Sequence, residues 1–184
     1  NSGRELPFPN EDRILVPSQN VKDYAKFPQM SAGPITDRVV HEIPKGKYDV
    51  IIMNYANPDM IGHTGNFQAA VEGLRYLDEQ LSRVVTAALA AGGAVLVTCD
   101  HGNVEEMVNP ETGEVMTDHT TNQVPFLYLT PHNRREVPKT DEEMFGILST
   151  PTGVLADVGP TMLDILSIPP PSDMTAQSLL GSLA

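Results

Sequence analysis

Cationic side chains are scarce in this 184-residue chain: 12 Lys and Arg stand against 24 Asp and Glu, a net charge of -12. That balance argues against non-specific binding to nucleic acid or to an anionic membrane. The acidity is scattered rather than gathered into a run, which is the pattern of a solvated surface. No stretch approaches the roughly 20 apolar residues of a membrane-spanning helix. Cysteine occurs once, at Cys99, so an internal disulfide is excluded, and the usage is compatible with a cytosolic protein. The opening Asn1-Ser2-Gly3-Arg4-Glu5 has neither an initiator Met nor the features of a signal peptide. The expectation is a processed, cloned or cleaved piece. No internal repeat is evident. At 40% hydrophobic residues, the chain can bury a core of one domain, or of a domain with appendages.

The apolar pattern predicts an α/β fold with a mostly parallel sheet flanked by helices. Residues 48–54 form a compact run through Val50, Ile51 and Ile52, which reads as a strand buried on both faces. Residues 67–91 keep a 3.6-residue period through Phe67, Val71, Leu74, Leu77, Leu81, Val85 and Leu89, predicting a long amphipathic helix. Thr64 is the expected cap and Gly92-Gly93 the expected stop. Residues 94–99 read as a second strand, so a right-handed parallel crossover is expected. Residues 124–129 read as a third strand, and 13–16 as an edge strand. Residues 35–43 show helix spacing, with Ser31 or Thr36 as cap. Residues 109–115 read as a hairpin tip, 131–143 as polar and irregular, and 157–166 as a short helix with Pro160 in its first turn.

Metal-type ligands stand beside the predicted strands. Asp59 and His63 lie in Asn57-Pro58-Asp59-Met60-Ile61-Gly62-His63, Asp100 and His101 in Cys99-Asp100-His101-Gly102-Asn103, and His119 in Asp118-His119-Thr120-Thr121-Asn122. Three of the five histidines fall in these blocks. Asp and His together suit divalent metals such as Mn²⁺ or Zn²⁺. These five ligands exceed what one catalytic ion takes from protein, which points to two adjacent ions. Asp59 and His63 are spaced i,i+4, so one helical turn places both on the same side; Pro58 suits its first turn and Asn57 its cap. Asp100 and His101 follow a strand directly, where open α/β sheets build their sites. Each block alone is usually a turn. Cys99 reads as packing, His41 and His132 as solvated, and Thr64, Thr120 and Thr121 as hydrogen-bond partners of the ligands or as caps.

The three blocks together, extended to Asn54-Tyr55-Ala56 before the first and Gln123-Val124-Pro125 after the last, closely resemble cofactor-independent phosphoglycerate mutase, of the alkaline phosphatase superfamily. So do Ser2-Gly3-Arg4-Glu5, the stretch from Arg13 to Ser18, and Gly153-Val154-Leu155-Ala156-Asp157-Val158-Gly159-Pro160-Thr161.

The resemblance implies an alkaline-phosphatase-like fold. It implies interconversion of 3-phosphoglycerate and 2-phosphoglycerate in glycolysis through a phosphoserine and two Mn²⁺ ions, with Zn²⁺, Co²⁺ or Mg²⁺ as alternative metals. Asp59, His63 and His119 would hold one ion; Asp100 and His101 would form part of the shell of the second. Residues 1–184 would be the C-terminal segment of the phosphatase-like domain, an incomplete sheet without the N-terminal segment. The nucleophile motif Asn-Ser-Glu is absent; neither Asn1-Ser2-Gly3 nor Gln19-Asn20 replaces it, so no catalytic nucleophile is expected in this chain and the segment alone is expected to be inactive. The inserted transferase-like domain is absent too. The expected partners are the phosphoglycerate substrate and the missing N-terminal segment, with no nucleic acid and no membrane; the expected location is the cytoplasm. The competing readings are another metal-dependent phosphatase or phosphomutase of the superfamily, and an inert metal-binding domain.

Overall fold

A computed structural model describes residues 6–133 and 137–183. The expectations for residues 1–5, including Asn1-Ser2-Gly3, lie outside the described residues. Helix α1 (Ala32–Glu42) starts at Ser31, whose hydroxyl does not cap it and instead donates to Pro17 O at 2.9 Å. Thr36, fully buried, donates to Ala32 O and pairs with the Tyr55 hydroxyl at 2.6 Å. That contact pins the chain ahead of the first ligand block onto α1.

Helix α2 (Asn57–Gly62) is the single turn expected around Asp59, with Pro58 at its start. Its cap position is Ala56, not Asn57. Asn57 is buried and its amide donates to Pro28 O at 2.8 Å and Gln29 O at 3.0 Å, so it ties α2 to the preceding loop. Helix α3 (Phe67–Ala90) is the long amphipathic helix. Asn66, rather than Thr64, caps it by accepting from Ala69 N at 3.0 Å; Thr64 donates to Ile61 O. The helix ends at Ala90, and Gly92 just beyond it turns the chain with φ +77°, at the expected stop. Ile61 of α2 packs with Ala69 and Ala70 of α3 and with Met107, and Ala25 and Val104 close around them. Full burial of a side chain such as Ile61 stabilises by about 1.5–3 kcal/mol. This small core fixes the turn that carries Asp59 and His63.

Strands β1 (Val95–Thr98) and β2 (Phe126–Leu129) pair antiparallel, with Val95 opposite Leu129 and Thr98 opposite Phe126. The mostly parallel sheet and its crossover are therefore corrected for the described residues, whose one sheet has two antiparallel strands. Residues 48–54 belong to no strand, and Ile52 is 81% exposed. A strand needs a partner for its backbone N–H and C=O groups, and none of the described residues supplies one in strand register. Residues 13–16 likewise form no strand. The expected hairpin tip forms: Val108 bridges Val115, and the Asn109 side chain accepts from Glu111 N and Thr112 N. Helix α4 (Asp141–Leu148) begins inside the stretch 131–143 expected to be irregular and runs beyond it, opened by a capping box between Thr140 and Glu143. Helix α5 (Val158–Ile165) is the predicted short helix, and Asp157 ties it to the C-terminal stretch by accepting from Gln177 N at 3.0 Å.

Candidate metal centre

Three local structures bring the ligand blocks together. The single turn of α2 sets Asp59 and His63 on one side, Asp59 Oδ1 lying 3.1 Å from His63 Nε2. The chain leaving β1 passes through Asp100 and His101 to Gly102, and Gly102 forms an isolated antiparallel bridge with Thr120. Thr120 N donates to Gly102 O at 2.9 Å. That bridge places the rings of His101 and His119 in a stack with centroids 3.7 Å apart. His119 Nε2 then lies 3.0 Å from Asp59 Oδ1 and 3.2 Å from His63 Nε2.

Asp59 Oδ1 is the hub. His63 and His119 are its near neighbours, and His101 Nε2 stands 3.9 Å away. Suitable ligand atoms of Asp59, His101 and His119 all lie within 4.8 Å of one another. Asp100 is set apart: its side chain is 80% exposed, and its Oδ1 is 3.7 Å from His101 Nε2. His101 thus lies between Asp59 and Asp100, in reach of both carboxylates. His41 and His132 are exposed and outside the cluster.

The donor set fits a divalent cation. His63 Nδ1 is 2.6 Å from Thr117 O. A carbonyl only accepts, so Nδ1 carries a proton and Nε2 is the ring nitrogen turned towards the cluster. His101 Nδ1 faces Gly102 O at 3.3 Å in the same sense. His63 Nε2 and His119 Nε2 both face the Asp59 carboxylate, at 3.1 and 3.0 Å, a convergence of donor atoms that suits a cation held between them. Separations of 3.0–3.2 Å among these atoms match neighbouring ligands around one ion with bonds of about 2.1 Å.

Asn103 and Glu105 escaped the sequence reading. Asn103 is buried, and its Nδ2 donates to Asp59 Oδ1 at 3.0 Å. Its Oδ1 has no hydrogen-bond partner among the described residues and lies against Gly62, where any Cβ would overlap it. The turn of α2 approaches Asn103 only because residue 62 is glycine. Glu105 accepts from Asn103 N at 2.6 Å, from Asn122 Nδ2 at 3.1 Å and from the Thr120 hydroxyl. Partial burial alone would raise its pKa, but these hydrogen bonds outweigh it and hold the carboxyl below its ordinary value. The signal was at hand in the Asp100-His101-Gly102-Asn103-x-Glu105 run, but only contacts between distant blocks give it meaning. Cys99 is half-buried, and burial, with Asp100 and Glu105 nearby, pushes its thiol up, away from a reactive thiolate.

Asp100 and His101 line a groove of about 2080 Å³ that reaches past Asn122, β2 and the α4 residues Met144 and Ile147. No helix among the described residues is long and apolar enough to cross a membrane.

Comparison with known proteins gives the same direction. The chain is 46% identical over 181 residues to a 2,3-bisphosphoglycerate-independent phosphoglycerate mutase of Rhodopseudomonas palustris, covering 98% of this chain and 33% of that protein. It is 46% identical over 180 residues to the protein of the same name from Clostridium kluyveri, with the same coverage. It spans about a third of the length of these curated relatives. A solved structure of Leishmania mexicana phosphoglycerate mutase, determined at low cobalt concentration, superposes with a TM-score of 0.72 at 28% identity, over 88% of this chain and 30% of that one. The α/β fold is thus that of a mutase of this type, seen in part. A model of the metalloenzyme superfamily matches residues 1–170, and the chain belongs to that superfamily.

Proposed function

We propose that this chain is the C-terminal segment of the metal-binding, phosphatase-like domain of a phosphoglycerate mutase that needs no bisphosphoglycerate. The whole protein would interconvert 3-phosphoglycerate and 2-phosphoglycerate through a phosphoserine, in the cytoplasm. The observation that carries this reading is the meeting of three separate blocks at Asp59 Oδ1, in a chain 46% identical to enzymes of that name. Residues 1–184 span about a third of those relatives, and the N-terminal segment with the serine and the inserted transferase domain would lie elsewhere in the whole protein.

Each residue has a defined task in this scheme. Asp59, His63 and His119 would hold one Mn²⁺, and Asp100 with His101 would contribute to the second. When bound, such ions neutralise phosphoryl charge and lower the pKa of a coordinated hydroxyl. Thr117 O holds the His63 proton on Nδ1 and so keeps Nε2 free as a donor. Asn103 orients the Asp59 carboxylate while leaving it a free lone pair. The groove beside His101 gives the phosphorylated substrate its approach.

The test is 2-phosphoglycerate formation from 3-phosphoglycerate by the whole protein, in Mn²⁺ and without added bisphosphoglycerate. Activity is expected, and His119→Ala is expected to reduce it by more than the roughly 10–100-fold typical of losing a partner behind a ligand. Release of inorganic phosphate without isomerisation would favour a phosphatase. Metal binding with neither reaction would favour an inert metal-binding domain.

A further inference from the structure

We infer that Asn103 and Glu105 are positioning residues for the cation site: Asn103 sets the Asp59 carboxylate, and Glu105 sets the spacing between His101 and His119. This rests on the metal-site reading above and adds residues that hold the donors without binding the ion.

The three donor blocks lie on separate stretches of chain, and two side chains join them. Asn103 joins the first to the second. It is 5% exposed, its Nδ2 donates to Asp59 Oδ1 at 3.0 Å, and its Oδ1 rests against Gly62 on the same turn. The assignment of its amide is fixed by chemistry: a flipped Asn103 would turn its oxygen towards the Asp59 carboxylate. Its Oδ1, without a hydrogen-bond partner among the described residues, lies where a side chain at residue 62 would begin. Asn103 therefore sits where it does to hold Asp59, since its own hydrogen bonding is left half made.

Glu105 joins the second block to the third. One oxygen accepts from Asn103 N, the other from the Thr120 hydroxyl and from Asn122 Nδ2. It thus clamps the turn after His101 to the stretch after His119, beside the Gly102–Thr120 bridge. Loosening that clamp frees the two stacked rings to slide, and an ion bound by atoms 3.0–3.2 Å apart does not tolerate such movement.

The experiment is a titration of the whole protein with Co²⁺ alone, followed by calorimetry and by visible absorption, which reports the geometry around cobalt. Asn103→Ala is expected to weaken binding by roughly 10–100-fold and to shift the cobalt bands. Glu105→Gln, similar in shape and exposed, is expected to weaken binding by about 10-fold and to shift them in the same sense. Wild-type affinity and wild-type bands in both variants, whatever their melting temperatures, would overturn the inference. If Asn103→Ala does not fold, Glu105→Gln decides it alone. His119→Ala separates the two readings. Loss of Co²⁺ binding there upholds the site independently of Asn103 and Glu105. Unchanged binding removes the site, and the inference with it.

Discussion

Replacing Asn57 by Ala tests whether α2 is held by its neighbours or by its own helical turn. A helix of six residues has no independent stability, so something outside it must fix Asp59 and His63. Asn57 is 2% exposed and gives hydrogen bonds to Pro28 O and Gln29 O. Each such bond contributes about 1 kcal/mol net, and leaving a buried carbonyl unpaired costs about 1–3 kcal/mol. The expected loss is therefore about 2–4 kcal/mol. A side chain acting only as a helix cap would contribute about 1 kcal/mol. Urea unfolding at matched slope measures the difference, and the midpoint should fall while the slope stays constant. Metal affinity should fall with it, because the same turn carries two of the donors. A loss under about 1 kcal/mol with unchanged metal affinity would refute the idea that Asn57 anchors the site.

Gly62→Ala drives a methyl group into Asn103 Oδ1, so the Asn103–Asp59 hydrogen bond should break. The expected outcome is a stability loss of about 1–3 kcal/mol with weakened metal binding, read by thermal melting with and without Mn²⁺. Thr140→Ala removes one side of the capping box and should cost about 1 kcal/mol, seen as faster hydrogen exchange confined to the start of α4. Asp157 accepts hydrogen bonds from Val154 N and Gln177 N, which hold its pKa below the ordinary value. A depressed carboxyl stabilises the fold above the unfolded pKa of about 3.9 and loses that contribution as pH falls through the folded value. The melting-temperature gap between wild type and Asp157→Asn should be full at pH 6 and close in acid below the folded pKa; a gap independent of pH would contradict the assignment.

What could be read from the sequence was whatever depends on one stretch of chain. The i,i+4 pair Asp59 and His63, the Pro58 start of α2 and the long period of α3 are local, and they formed as expected. The reading failed where a segment depends on a partner. Val50, Ile51 and Ile52 have the composition of a buried strand, yet composition reports what a segment can bury and not whether the described chain supplies its neighbour. Caps failed for a nearer reason. Thr64 and Asn66 are both capping residues, and the turn after His63 decided for Asn66. Helix α4 was missed although Thr140 and Glu143 carry the capping-box spacing, because the polar surroundings masked its short apolar face. In the site, the donor residues were visible by type and spacing. Asn103 and Glu105 were not, since their roles exist only where residue 59 meets 103 and residue 105 meets 120.

The central claim is that three distant blocks of this chain make one wall of a two-metal site. Anomalous scattering at the manganese edge, from crystals of the whole protein grown with Mn²⁺, tests it most directly. The account predicts one peak bonded to Asp59, His63 and His119 and a second beside Asp100 and His101. Manganese peaks elsewhere, with these five side chains bound to none of them, would contradict it.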